Sequence, residues 1–231
     1  MAYILQSLPR TVIAGFVLVV LVFLLIGNTS MDMVFWSFLF RWLHVLGGVM
    51  WIGLLWYFNF VQIPNMPNIP DEQKPAIGKV IAPAALFWFR WGAMATIITG
   101  LIQAMLEGYL IDAITVSGNG TIIGIGMWMG TIVTGVILAL TNDYFIDAVI
   151  IGLDSGVARH TIIGIGMWLG AIMWFNVWFV IWPNQKKALG IVEADADTKA
   201  KAARTAMLFS RANTLLSIPM LFCMVAQQNF A

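Results

Sequence analysis

Apolar residues run along this chain in long blocks separated by short polar stretches, with no sustained two-residue alternation. A helix needs about 20 apolar residues to cross the hydrocarbon of a bilayer. Blocks of that order predict spans at Thr11–Ile26, Val34–Phe60, Pro83–Leu106, Thr121–Leu140, His160–Trp182 and Thr205–Ala226. The pattern therefore predicts an all-α integral membrane protein. It reads as a single transmembrane domain over residues 1–231, a bundle of about six transmembrane helices.

Prolines and charges punctuate the blocks. Five of the eight prolines fall between Pro64 and Pro83, and that stretch reads as a loop. Pro83 fits the first turn of the third helix, and Pro183 reads as the end of the fifth. After Pro183 the acids Glu193, Asp195 and Asp197 precede the bases Lys199, Lys201 and Arg204. That order suits the dipole of a helix starting near Asp195 and running into the last span. Pro219 predicts a kink there. At the other terminus Arg10 precedes an apolar run, but no small-residue cleavage site follows it. The run is read as an uncleaved first span.

Residues 141–159 admit two readings. Asp143, Asp147 and Asp154 share roughly one helical face, as in an interfacial helix or loop. A seventh crossing is the rival. Thr121-Ile-Ile-Gly-Ile-Gly-Met-Trp-Met-Gly130 recurs as Thr161-Ile-Ile-Gly-Ile-Gly-Met-Trp-Leu-Gly170, and two copies that meet the membrane alike need a crossing between them. A seventh crossing also sharpens the sidedness of Lys and Arg. Six spans are the default, with seven if 141–159 crosses. With seven, the helices of His44 and His160 enter from the same side. With six, they enter from opposite sides.

Composition narrows the function. The chain is 61% hydrophobic and 10% charged, against about 25% charged in ordinary soluble domains. Its net charge of +1 offers no electrostatic footprint for nucleic acid. The single cysteine, Cys223, excludes an internal disulfide, a cysteine-rich zinc site and c-type haem attachment. Eleven tryptophans suit membrane interfaces. There is no Walker, H-E-x-x-H, G-x-S-x-G or Rossmann glycine pattern.

Few residues remain that could carry chemistry. His44 lies about 15 Å into its span at 1.5 Å per residue, and His160 opens the fifth. Two histidines on separate helices are the minimum for a bis-histidine haem b, and both are candidate iron ligands. A membrane histidine also serves simply to bond a neighbouring helix. Arg90, among Phe87, Trp88, Phe89 and Trp91, is a candidate for an anionic substrate group or a haem propionate. Snorkelling to the headgroups is its bland alternative. Arg41 lies three residues before His44 and is a weaker candidate of the same kind. Gly166-xxx-Gly170 and Gly126-xxx-Gly130 read as close-packing faces. Asn59, Asn176, Ser210, Asn213 and Ser217 read first as interhelical bonding groups.

Four strings carry a family resemblance: Arg41 through Phe60 (RWLHVLGGVMWIGLLWYFNF), Pro70 through Gly92, Asn176 through Lys187, and Arg211 through Met220. Together they resemble the N-terminal membrane domain of PuuD-type bacterial urate oxidases (urate hydroxylases). The resemblance implies a multi-pass protein of the bacterial inner membrane, set in lipid and active in purine catabolism. Such proteins are thought to oxidise urate to 5-hydroxyisourate and to pass electrons to a C-terminal cytochrome c domain. This sequence has no CxxCH, so the expected electron acceptor is a separate cytochrome c or a respiratory complex. The pattern around His44 also resembles the histidine helix of small haem-binding membrane proteins, which implies haem b at that residue. The alternative is a non-catalytic haem-binding or structural subunit of a respiratory complex.

Overall fold

The computed structural model describes residues 2–26, 30–115 and 158–229, except the side chains of 2, 26, 115, 158–161 and 227–229. Among these residues all regular structure is helical. Five helices are long and apolar enough to cross a membrane. The chain is thus an all-α membrane protein, as its blocks predict. The predicted span Thr121–Leu140, the first copy of the repeat and all but the last two residues of segment 141–159 lie outside the described residues.

Two compact units are present, Met1–Leu39 and Phe40–Ala231. The first contains helix α1 (Leu8–Ile26). No part of its spanning window is buried. A helix apolar on every side is suited to hydrocarbon, not to a one-sided contact. Within this unit the rings of Phe23 and Phe35 pack at 5.3 Å.

The second unit is a bundle of antiparallel neighbours. Helix α2 (Met33–Trp56) feeds a π-helical segment, Tyr57–Gln62, and the helix runs on to Asn68. A second rod starts at Lys74, passes through a π segment at Ile77–Ile81, and becomes α3 (Ala82–Leu106). It runs back along α2: Phe89 meets Phe58, with ring centroids 5.8 Å apart, and Thr96 meets His44. Short helix α4 (Leu110–Thr115) follows. Helix α5 (Ala158–Phe175) continues through the π segment Asn176–Ile181 into α6 (Trp182–Ala188). Helix α7 (Ala196–Asn229) closes the bundle.

Contacts fix the directions. Near its start, α5 touches α4 so closely that a Cβ at Gly164 would come within 2.6 Å of the Ala113 carbonyl oxygen. At its far end Trp182 lies under Arg90, near the start of α3. Helices α2 and α5 therefore enter the bundle from the same end.

The proline-rich stretch is not the long loop its composition suggests. Helix occupies most of it, leaving only residues 69–73 between the rods, and Pro183 likewise lies inside a continuous helix. The physical reason is common to three sites. Pro64, Pro83 and Pro183 each stand two residues beyond a π segment. Proline removes one backbone donor and its ring crowds the carbonyl four residues back. A local π turn widens the helix and accommodates both. The asparagine after two of these prolines supplies a donor: Asn65 Nδ2 to the Val61 carbonyl at 2.7 Å, and Asn184 Nδ2 to that of Val180 at 2.8 Å.

These two sites belong to a longer likeness. Gly47-x-x-Met50-Trp51-Ile52-Gly53-x-x-x-Tyr57-Phe58-Asn59 corresponds to Gly164-x-x-Met167-Trp168-Leu169-Gly170-x-x-x-Trp174-Phe175-Asn176. Phe60-Val-x-x-Pro-Asn65 then corresponds to Phe179-Val-x-x-Pro-Asn184. Helices α2 and α5 are copies that run in the same direction.

Trp51, Leu55, Phe89, Met173, Val177 and Leu216 form the bundle's core, each 2% exposed or less. In lipid such packing, not water exclusion, holds helices together. Polar pairs add to it. Asn176 Nδ2 donates to Asn213 Oδ1 at 2.8 Å, and Asn213 Nδ2 donates to the Met173 carbonyl at 2.9 Å. Asn59 Nδ2 donates to Ser210 Oγ at 2.8 Å, and Trp56 Nε1 to Ser217 Oγ at 3.0 Å. The polar stripe of α7 is thus a helix-packing device. Of the predicted glycine face, Gly166 packs tightly, with a Cβ there reaching 2.9 Å from Cys223 Cβ, while Gly170 faces open space.

Asp195 caps α7. Its carboxylate accepts from the Thr198 backbone N–H at 2.8 Å and from the Thr198 hydroxyl at 2.7 Å. Those bonds hold its carboxyl below the usual range.

Candidate functional site

A cavity of about 550 Å³ opens between α2, α3, α5 and α7. Ligand pockets typically enclose about 300–1,000 Å³. Its walls are mainly apolar, with Trp51, Ile52 and Trp56 from α2, Met167 from α5, and Met220 and Met224 from α7. Its polar groups are few: Arg41, His44, Thr96, Gln103 and Tyr109.

His44 is held from two directions. Its Nδ1 lies 2.8 Å from the Thr96 carbonyl oxygen. A carbonyl only accepts, so Nδ1 carries the proton and Nε2 keeps its lone pair. The ring also lies against α3 at Gly100, where a Cβ would come within 2.7 Å of His44 Cε1. Only glycine leaves room for the imidazole there. Thr96 in turn donates its hydroxyl to the Gly92 carbonyl at 2.8 Å, a bond within α3.

Arg41 is ion-paired with Glu107 just past the end of α3. Its side chain is 46% exposed, so the pair contributes on the surface scale, about 0–1 kcal/mol. Gln103 donates to the same carboxylate oxygen at 3.4 Å. Tyr109, beyond the span, is buried beside them. Burial first, then the Glu107 charge, pushes its phenol up to about 12, against an opposing pull from Arg41.

The candidates read from sequence therefore separate. His44 and Arg41 meet in the cavity. His160 is in the first turn of α5, and its side chain lies outside the described residues; its position is three residues before Ile163 and seven before Met167, both cavity residues. Arg90 is elsewhere. Its guanidinium stacks on Trp182, with Cζ 3.2 Å from the ring centroid, and faces Trp178 at 5.9 Å. Among the described residues no group of three or more His, Cys, Asp or Glu side chains could hold a metal ion.

Thr96, Met167 and Glu107 were not singled out from the sequence, and Gly100, like Gly47, Gly48 and Gly53, reads there only as a close-packing glycine. The signal for Thr96 was present: Gly92, Thr96 and Gly100 are small residues spaced by four on α3, the mark of a close-packed helix face.

The family model for the urate oxidase N-terminal family matches residues 70–230. The chain belongs to that family. The match spans α3 to α7 and includes Arg90 and His160, whereas Arg41 and His44 precede it. No curated protein matches the chain. No solved structure matches it. As a member of the urate oxidase N-terminal family, the chain is a urate-oxidase-related membrane protein, and its cavity is built partly from residues before the matched region.

Proposed function

We propose that this protein is a urate-oxidase-like membrane protein that binds haem b in the His44 cavity and passes electrons from urate to a separate cytochrome c. The observation that carries the reading is the His44 hydrogen bond to Thr96. It fixes the tautomer in which Nε2 keeps a free pair, the form an iron ligand needs. Metal-ligating histidines commonly donate their other ring N–H to a backbone carbonyl, which fixes the ring's orientation.

The other residues fit the group. The cavity is roomy and apolar. Met167, Met220 and Met224 line the same cavity as His44, and His160 stands three and seven residues before the cavity residues Ile163 and Met167 on α5. Met or His is a workable second ligand. Arg41 is positioned to meet a carboxylate near the cavity's edge. Bound haem b would supply a one-electron iron couple. The chain would hold the imidazole in place through Thr96 and Gly100 and exclude water with the tryptophan and methionine walls.

The reading sets the chain in the bacterial inner membrane. Lys74, Lys79, Lys186, Lys187, Lys199 and Lys201 gather near the two connections at one end of the bundle. The positive-inside rule makes that end cytoplasmic. Purified protein, expressed with haem available, should give a Soret band that His44→Ala removes. Urate turnover is then assayed with added cytochrome c. Absence of any Soret band rules out the haem site, and absence of turnover with every acceptor rules out the enzyme.

A further inference from the structure

Arg90 marks a different place in the bundle from His44, and it is left over by the cavity. Its Nε and Nη1 are buried and have no hydrogen-bond partner. Among the described residues the ion pairs are Arg41–Glu107 and Lys74–Asp71, so no carboxylate answers Arg90. Trp182, on which the guanidinium rests, also has Lys186 Nζ 5.7 Å from its ring. Two cations therefore bracket one indole. On the same helix Trp174 and Trp178 each have a buried Nε1–H without an acceptor. The spacing 174, 178, 182 places three tryptophans along one side of a continuous helix.

This cluster has an excess of donors and of positive charge, and its walls are flat. Unpaired buried donors are costly. A partly buried guanidinium in a membrane calls for a partner. Stacking on indole answers the face of the guanidinium but not its in-plane N–H groups. What would answer them is an anionic acceptor. What would lie best between tryptophan faces is a planar ring.

We propose that Arg90, Trp178 and Trp182 form a second binding site, distinct from the His44 cavity, for a small planar anion. Urate is of that chemical class, and using it as the ligand rests on the functional reading above. The site's chemistry is shared by one other source of anionic oxygen, the phosphate of a lipid headgroup.

The test uses the full chain in nanodiscs of neutral phosphatidylcholine, with labelled urate in equilibrium dialysis. Native protein should bind urate saturably. R90Q should weaken binding at least tenfold. R90K, which keeps the charge but loses the planar fork, should fall between them. K201Q, at an exposed position of α7, should bind like the native protein. Equal urate affinity in native and R90Q protein would overturn the proposal. So would failure of native protein to bind urate. An Arg90-dependent preference for phosphatidylglycerol without urate binding would assign the site to a headgroup and also overturn it. The Soret band read on the same samples separates the two ideas: a protein without haem that still binds urate through Arg90 refutes the haem site alone.

Discussion

His44 Nδ1 and the Thr96 carbonyl oxygen lie 2.8 Å apart, joining α2 to α3 about midway along both helices. The bond does two things. It satisfies a polar group inside an apolar bundle, and it directs the other ring nitrogen. It depends on a close approach of the two helices, for which Gly100 is the spacer.

Gly100→Ala should therefore displace His44. The added methyl would lie 2.7 Å from Cε1, well inside contact distance. Overpacking of this kind costs about 1–3 kcal/mol. The expected result is a folded protein with a lower unfolding temperature and most of its haem absorbance lost. Gly170→Ala is the control. It meets nothing within 4 Å and should stabilise or leave unchanged. Equal haem content in the two variants would disprove the spacer role.

How much of this was legible in the sequence depends on what each residue meets. Five of the six predicted spans were, because block length alone decides whether a helix can cross a bilayer. The depth of His44 followed from counting residues. The proline stretch was misread, because proline breaks a helix only if nothing relieves the crowded carbonyl, and π turns relieve it at Pro64, Pro83 and Pro183. Arg41 and Arg90 looked alike as intramembrane cations. Their difference lies in partners distant in sequence, Glu107 for one and Trp182 for the other. No local pattern carries that information. The α2–α5 likeness was readable, but it hides behind the stronger forty-residue repeat.

Asn213 should be the most sensitive polar residue of the bundle. It is fully buried, accepts from Asn176 and donates to the Met173 carbonyl. That carbonyl lies just before the π segment, where the change of helical register leaves backbone acceptors short of donors. Asn213→Ala should destabilise by about 1–2 kcal/mol, the upper part of the range for membrane hydrogen bonds. Asn176→Ala should cost less, and the double variant should cost less than the sum. Reversible unfolding in mixed micelles measures all three. Strict additivity would mean the two amides do not act together.

Tyr109 gives an alkaline signature. Its phenol is pushed up to about 12, chiefly by burial and next by Glu107. A raised value means the folded state favours the protonated phenol. That contribution is complete below the ordinary value near 10 and is lost as pH rises from there through about 12. Ultraviolet titration should show a late tyrosine step that Tyr109→Phe removes. Glu107→Gln should bring it earlier, and Arg41→Gln should delay it. Identical titration curves for the two charge variants would contradict the arrangement at the cavity's edge.

Asp195 gives the acidic counterpart, outside the membrane. Its bonds to Thr198 hold the carboxyl below its usual range. A depressed value means the folded state favours the carboxylate. The stability it lends is present above the ordinary carboxyl value, about 3.9, and is lost as pH falls through the lower folded one. The cap acts on the first turn of α7, so the effect is local. Hydrogen exchange at residues 196–200 should quicken as pH drops through that window, after correction for intrinsic rates. In Asp195→Ala exchange there should already be fast at neutral pH and show no such step. Protection that stays pH-independent in the native chain would mean that Thr198 and the carboxylate do not hold the start of this helix.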